Sequence, residues 1–347
     1  MTSTQPGPQG GLAGYLESME AEGAPLLGHI VMYSVFEGTV TRDDMTRWFA
    51  ELGLNPAFVP PPIRPVDAFE KVTGPSGIRV TYPLGTQPPG GRRRRRQDGQ
   101  GREATLMIRP VRRDGGQIVR HLVREVRDEA ATALSYDVRL AECTFRRDGD
   151  PAAVPGAGSL QVTPDHAAIR QLPPGEQDTV VAVLAEIRAA YQRGCTYLTA
   201  DRLRTVIRTY VEALNAIRVR PTGGVYFVHR THDHALAALR ELVRRFGAGS
   251  HLARIPLPDQ DEQRELIISA FTTKAREDLD RLARDIAAAQ RGDQAGEAAV
   301  TALHKRFLAL QAATAEHAQL LNTSLDDTSA ALKLVNAQLA SLLAQAG

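Results

Sequence analysis

The chain has 347 residues, 43% of them hydrophobic and 24% charged, with a formal net charge of +2. This length supports two or three domains with buried cores, and the composition is ordinary for a globular protein. Two distant cysteines, Cys143 and Cys195, exclude a disulfide framework and a cysteine-based zinc site. No apolar run reaches the roughly 20 residues that a membrane-spanning helix needs.

Residues 1–25 read as a flexible tail without the basic start and apolar core of a signal peptide, so a cytoplasmic chain with no membrane partner is expected. "LLGHIVMYSVFEG" follows as a buried strand. In "TVTRDDMTRWFAELGL", Thr41 and Asp44 form a capping box, Gly53 marks the helix end, and Met45, Trp48, Phe49 and Leu52 share one face. Prolines then force an extended path into a short helix, "VDAFEKVTG".

From Gly77 to Arg147 the period becomes two. "GIRVTYPL", "ATLMIRPVRR", "QIVRHLVREVRD" and "LSYDVRLAECTFRR" predict an antiparallel meander with one arginine-studded face. "RRDGGQ" turns the chain between the second and third strands, and residues 85–103 form an arginine-rich excursion between the first two. These segments make up a first unit, 26–150, closed by "DGDPAAVPGAGS".

A mixed unit, 159–258, holds helices at "PPGEQDTVVAVLAEIRAAYQRG" and "TADRLRTVIRTYVEALNAI", the hairpin "IRVRPTGGVYFV", the helix "DHALAALRELVRRFGAGS" and a strand at "HLARIPL". Residues 261–346 are helical. Ile268, Phe271, Ala275, Leu279, Leu282, Ile286 and Ala289 form a seam that resumes at Val300, Leu303, Phe307 and Leu310. It continues through Leu325, Leu332, Val335, Leu339 and Leu342, with either a stutter or a break near residues 322–324. The expected fold class is therefore α+β: an α/β unit with a meander, a mixed unit with a hairpin, and an antiparallel helical hairpin or coiled-coil arm.

Three polar clusters bear on chemistry. His229, His232 and His234 fall within six positions, but "THDHALAALRELV" reads as a helix start capped by Thr231 or Asp233. Residues two apart on a helix point about 200° apart, so His232 and His234 diverge. These imidazoles are read first as structural and secondarily as contacts for an anion, with no metal site expected. Arg92, Arg93, Arg94, Arg95 and Arg96 cannot pack in a core; with Arg112 and Arg113 they suit salt-sensitive contact with phosphates of DNA or RNA. A solubilising loop and an acidic protein partner are the competing readings of this tract. The third cluster is a helix bearing Arg202, Arg204 and Arg208 before a β-hairpin, which admits a winged-helix reading. An amphipathic helix packed beside a hairpin is the preferred reading: Gly194 to Leu198 leaves room only for a turn, although the preceding Gln177–Arg193 helix could serve as the supporting helix.

No phosphate-binding G-x-x-x-x-G-K-[ST] loop, G-x-S-x-G elbow, HExxH or strand-linked GxGxxG occurs, and no cofactor is expected. "GHIVMYSVFEGTVTRDDMTRWFAELGL", "PIRPVDAFEKVTG" and "IRVRPTGGVYFVHR", with the helical tail, resemble an uncharacterised prokaryotic and viral family, a domain of unknown function. The resemblance spans most of the chain, implies a prokaryotic cytosolic or mobile-element setting, and carries no activity or catalytic residue. The expected function is a non-enzymatic interaction or scaffold protein that contacts nucleic acid through the arginine tract. The same reading has it self-associate, or dock a partner protein, through residues 263–346. Two alternatives stand beside it: a component of a phage or anti-phage defence assembly without nucleic-acid binding of its own, and an enzyme with an anion or metal site near His229, His232 and His234.

Overall fold

The computed structural model describes residues 25–84, 102–127, 135–136, 139–149, 156–220, 224–291, 297–321 and 325–346. The fold is α+β, with two antiparallel sheets and a helical C-terminal arm. In chain order the first elements are β1 (Leu26–Ser34), α1 (Arg42–Glu51), α2 (Pro65–Thr73), β2 (Arg79–Leu84), β3 (Arg102–Arg113) and β4 (Gln117–Arg127). Next come β5 (Ser135–Tyr136), β6 (Ala141–Arg147), β7 (Gly158–Pro164), α3 (His166–Arg170), α4 (Pro174–Thr196) and α5 (Ala200–Ala213). The rest are β8 (Ile217–Arg218), β9 (Tyr226–His229), α6 (Asp233–Arg244), β10 (His251–Pro258), α7 (Asp261–Arg291), α8 (Glu297–Leu320) and α9 (Asp326–Ala346).

These elements divide into two compact units that are interleaved along the chain rather than consecutive. One comprises Met1–Gly38, Thr46–Val59 and Ala200–Gly347; the other comprises Thr39–Met45 and Pro60–Thr199. The linear segments 26–150, 159–258 and 261–346 therefore do not coincide with the compact units.

The unit containing Pro60–Thr199 is built on the meander, with strand order β2-β3-β4-β6-β7 and β5 paired to β4. The Asp-Gly turn forms as its chemistry dictates: Asp114 Oδ1 accepts from the N–H groups of Gly116 (3.0 Å) and Gln117 (2.8 Å). Those bonds to the ionised form hold the Asp114 carboxyl below its usual range. One sheet face packs its apolar residues against α2 and α4, with Phe69, Leu106, Leu122, Phe145, Val180, Leu184 and Ile187 in one core. Gly194 lets α4 approach α2, since a Cβ there would lie 3.0 Å from that of Ala68. α4 runs two residues beyond this expected stop.

Arg109, Arg112 and Arg113 are exposed, whereas two arginines of β4 leave the solvent. β4 alternates, and the side that carries Ile118 and Leu122 into the core also carries Arg120 and Arg124. Arg120, 8% exposed, pairs with Glu70, donates to Thr73 Oγ1 at 2.8 Å and lies 5.1 Å from the centroid of Phe69. Arg124 Nε lies 2.8 Å from Glu176, whose carboxylate also accepts from the Tyr82 hydroxyl at 2.7 Å. These guanidiniums neutralise partners under the helices instead of facing water.

The other unit carries a four-stranded sheet of order β10-β1-β9-β8. β1 sits between two partners, with Ile30 opposite both Ile255 and Phe227. Gly28 permits the close approach of β9, because a Cβ there would collide with the Val228 carbonyl oxygen. α6 buries Leu236, Leu239, Leu242 and Val243. The arm comprises three helices, not a hairpin: the seam discontinuity separates α8, which ends at Leu320, from α9, which starts at Asp326. Leu279, Leu282 and Ile286 of α7 meet Val300, Leu303 and Phe307 of α8 and Leu332, Val335 and Leu339 of α9. Among the described residues no helix is long and apolar enough to cross a membrane.

Candidate nucleic-acid interface

Arg92–Arg96 lie outside the described residues. Arg112 and Arg113 are exposed at the end of β3. Both have carboxylates nearby: Arg112 Nε is 3.4 Å from Asp114, and Arg113 Nη1 is 3.3 Å from Glu70.

The three neighbouring histidines do not converge. His229 closes β9 buried, and its Nδ1 accepts from the Thr231 N–H at 3.3 Å. His232 lies in a 3-10 turn with Nε2 4.0 Å from Glu316, and His234 is exposed on the first turn of α6. His232 occupies the N-cap position of α6, where Thr231 or Asp233 was expected, and makes no side-chain cap. Two histidines from distant sequence join this region. His29 of β1 places Nδ1 2.9 Å from Asp233 Oδ1, and His317 of α8 lies 4.5 Å from the Phe271 ring, centroid to centroid. Burial lowers the pKa of His29 and of His229, and it pulls His317 down to about 4, where neighbouring His229 adds to the effect. Among the described residues no group of histidine, cysteine, aspartate or glutamate has the arrangement of a metal site.

A basic cleft forms elsewhere in the same unit. α5 is amphipathic: Leu203, Val206, Ile207, Tyr210 and Val211 are buried, while Arg204, Thr205, Arg208 and Thr209 are exposed. The helix ends at Ala213, and Asn215 two residues on, with a φ of 54°, is a left-handed stop that asparagine tolerates. The chain then turns directly into β8 and β9. Between α5 and this hairpin lies a cleft of about 460 Å³, lined by Tyr33, Asp201, Arg204, Thr205, Arg208, Arg218, Gly224 and Tyr226.

Its charges are held in different ways. Arg204 donates to Asp201 at 2.6 Å and to the Val35 carbonyl at 2.7 Å. Arg218 donates to Glu212 at 2.9 Å and lies 5.6 Å from the Tyr226 centroid. Among the described residues no carboxylate pairs with Arg208; its charge faces the Tyr33 phenol. Burial, reinforced by Tyr226, pushes the Tyr33 hydroxyl up to about 12 despite Arg208, so it is a neutral hydrogen-bonding group at physiological pH. The Tyr33 and Tyr226 rings lie 6.5 Å apart and within 13° of parallel.

The chain belongs to the family of unknown function DUF6744. The family model matches residues 26–347 and thus takes in the cleft, the histidines and the arginine tract. No curated protein and no solved structure matches the chain. Family membership therefore supplies a boundary and no chemistry, and the cleft is read from its own residues. Arg204 and Arg208 are visible in the sequence as an exposed helical stripe. Tyr33 and Arg218 are not: one lies on β1 and the other on β8, and only the β1–β9 and β8–β9 pairings bring them to one place.

Proposed function

We propose that this chain is a cytoplasmic, non-enzymatic interaction protein that contacts nucleic acid through basic surface elements. The α5–hairpin cleft carries this reading, because Arg204, Arg208 and Arg218 line it against one carboxylate, Asp201, and Arg208 has no carboxylate partner among the described residues. Such an array displaces counterions when it meets phosphates, giving binding that weakens with salt. Arg92–Arg96 add five positive charges in a glycine-rich context. Free thiols at Cys143 and Cys195 suit a reducing compartment. The arm serves as a docking element for a partner protein or a second copy. Because its seam covers itself, contact would use exposed side chains such as Leu308 and Leu334.

Replacing Arg92–Arg96 with serine is expected to weaken binding to mixed-sequence DNA or RNA and to flatten its salt dependence. Unchanged affinity and slope would remove that tract from the contact. A wild-type chain that binds neither polymer at about 50 mM salt, where phosphate contacts are strong, would overturn the reading.

A further inference from the structure

We infer that the cleft seats one backbone phosphodiester against Arg208 and reads no base, so that its ligand is a phosphodiester chain irrespective of sequence; this rests on the nucleic-acid reading above. The first support is the order of charges along α5. Asp201, Arg204, Thr205, Arg208 and Glu212 follow one another at spacings of 3, 1, 3 and 4 and are all exposed, which puts them in one stripe on the helix. The carboxylates stand at the two ends of the stripe, and each is taken by a guanidinium. Asp201 accepts from Arg204 Nη1 at 2.6 Å, and Glu212 accepts from Arg218 Nη2 at 2.9 Å. Arg208 stands between them, about one turn from either Arg204 or Glu212. Three guanidiniums against two carboxylates leave one positive charge over, and it sits at Arg208. A backbone phosphodiester carries one negative charge.

The second support is that the walls are set before a ligand arrives. Arg204 Nη2 donates to the Val35 carbonyl at 2.7 Å, and Arg218 lies 5.6 Å from the Tyr226 centroid. Both cations are therefore held from two sides, and only Arg208 has to reach. The Tyr33 phenol keeps its proton at physiological pH and lies within the field of Arg208, so a neutral hydroxyl borders the same space. Hydroxyls and guanidiniums together suit phosphate oxygens.

The third support is the chemistry the cleft lacks. Bases are read by free aromatic faces, or by side chains that pair with base edges, chiefly amides, carboxylates and bidentate arginines. Tyr226 is 2% exposed, and its ring is flanked by Tyr33 and Arg218. Asn and Gln are absent from the described lining, and the Asp201 carboxylate is bound by Arg204. The Thr205 hydroxyl donates back to the Asp201 carbonyl at 2.8 Å. What is left for a ligand is charge.

Fluorescence anisotropy of the full chain tests this over a salt series with three end-labelled probes of one length. They are a mixed-sequence DNA duplex, one of its strands, and an abasic strand in which tetrahydrofuran units replace the nucleosides and keep every phosphodiester. All three are expected to bind. Arg208→Ala should weaken each about four- to sixfold near 0.15 M salt, and should reduce the log–log slope by about 0.7 on single strands and about 0.9 on the duplex, as for one lost phosphate contact. Arg208→Lys should restore the slope, because the charge returns. Arg208 is exposed, so both variants should melt like the wild type. An Arg208→Ala loss that is absent, or that appears on the base-bearing probes and not on the abasic strand, would overturn this inference and leave the broader reading standing. So would an Arg208→Lys variant that behaves like Arg208→Ala, or a wild-type chain that binds the duplex or its strand but not the abasic strand. No binding to any of the three would overturn both.

Discussion

His317 is enclosed by Phe271 and by other imidazoles, and its charge state is tied to folding. The unfolded side chain takes a proton near 6.5, whereas the folded one resists until about 4. The unfolded chain therefore binds more protons within that window, so stability is full above pH 6.5 and falls as pH drops toward 4. The size is about 3 kcal/mol at the acid end, and His29 and His229, also lowered, act with the same sign. His317→Leu should reduce the loss of thermal stability between pH 6.5 and 4; an unchanged pH profile would show that His317 does not carry it. At Arg124, truncation to alanine strands the Glu176 carboxylate, which is 12% exposed, and should cost about 3 kcal/mol in urea unfolding. Arg124→Ala combined with Glu176→Ala should be less damaging than Arg124→Ala alone, since no unpaired charge remains. Neither network is legible along the chain. His317 lies 88 positions beyond His229, and Arg124 looks like any alternating strand residue until the side taken by α4 is known. What the sequence does reveal is the divergence of His232 and His234, because that depends only on local backbone.

At the scale of elements, stability in the arm should follow burial. Leu339 is 1% exposed within the three-helix core, so Leu339→Ala should cost about 2–5 kcal/mol. Leu334, 64% exposed on the same helix, should change stability by no more than about 0.5 kcal/mol on truncation. Circular dichroism melts of the two variants check this, and equal effects would contradict the assigned core. The seam is readable in advance because the 3–4 spacing of apolar residues is local. The partner of each stretch is not, which is why a third helix stands where a hairpin is expected. β7 escapes for a related reason. In "GSLQVTP" only Leu160 and Val162 alternate with polar residues, too short a run beside the glycine- and proline-rich boundary to mark a strand, and its pairing with β6 comes from the sheet.

For the whole molecule, the decisive feature is the insertion of Pro60–Thr199 between α1 and α5. A reading that moves along the chain assigns neighbours by proximity in sequence, and so offers α5 the helix that ends at Thr196 rather than residues near Phe49 and Asn55. In the fold Tyr210 of α5 meets the Phe49 ring and the Asn55 N–H, and the exposed side of α5 lines a cleft with Tyr33, Arg218 and Tyr226. α+β class, the meander and the helical arm are legible because each rests on periodicity; the cleft depends on chain closure, which periodicity does not encode. The central claim, contact with nucleic acid through basic surface, is tested most directly by the salt dependence of DNA binding by the full chain. The account predicts measurable binding at low salt and a log–log slope steeper than about −2, corresponding to several neutralised phosphates. Absence of binding, or an affinity indifferent to salt, would contradict it.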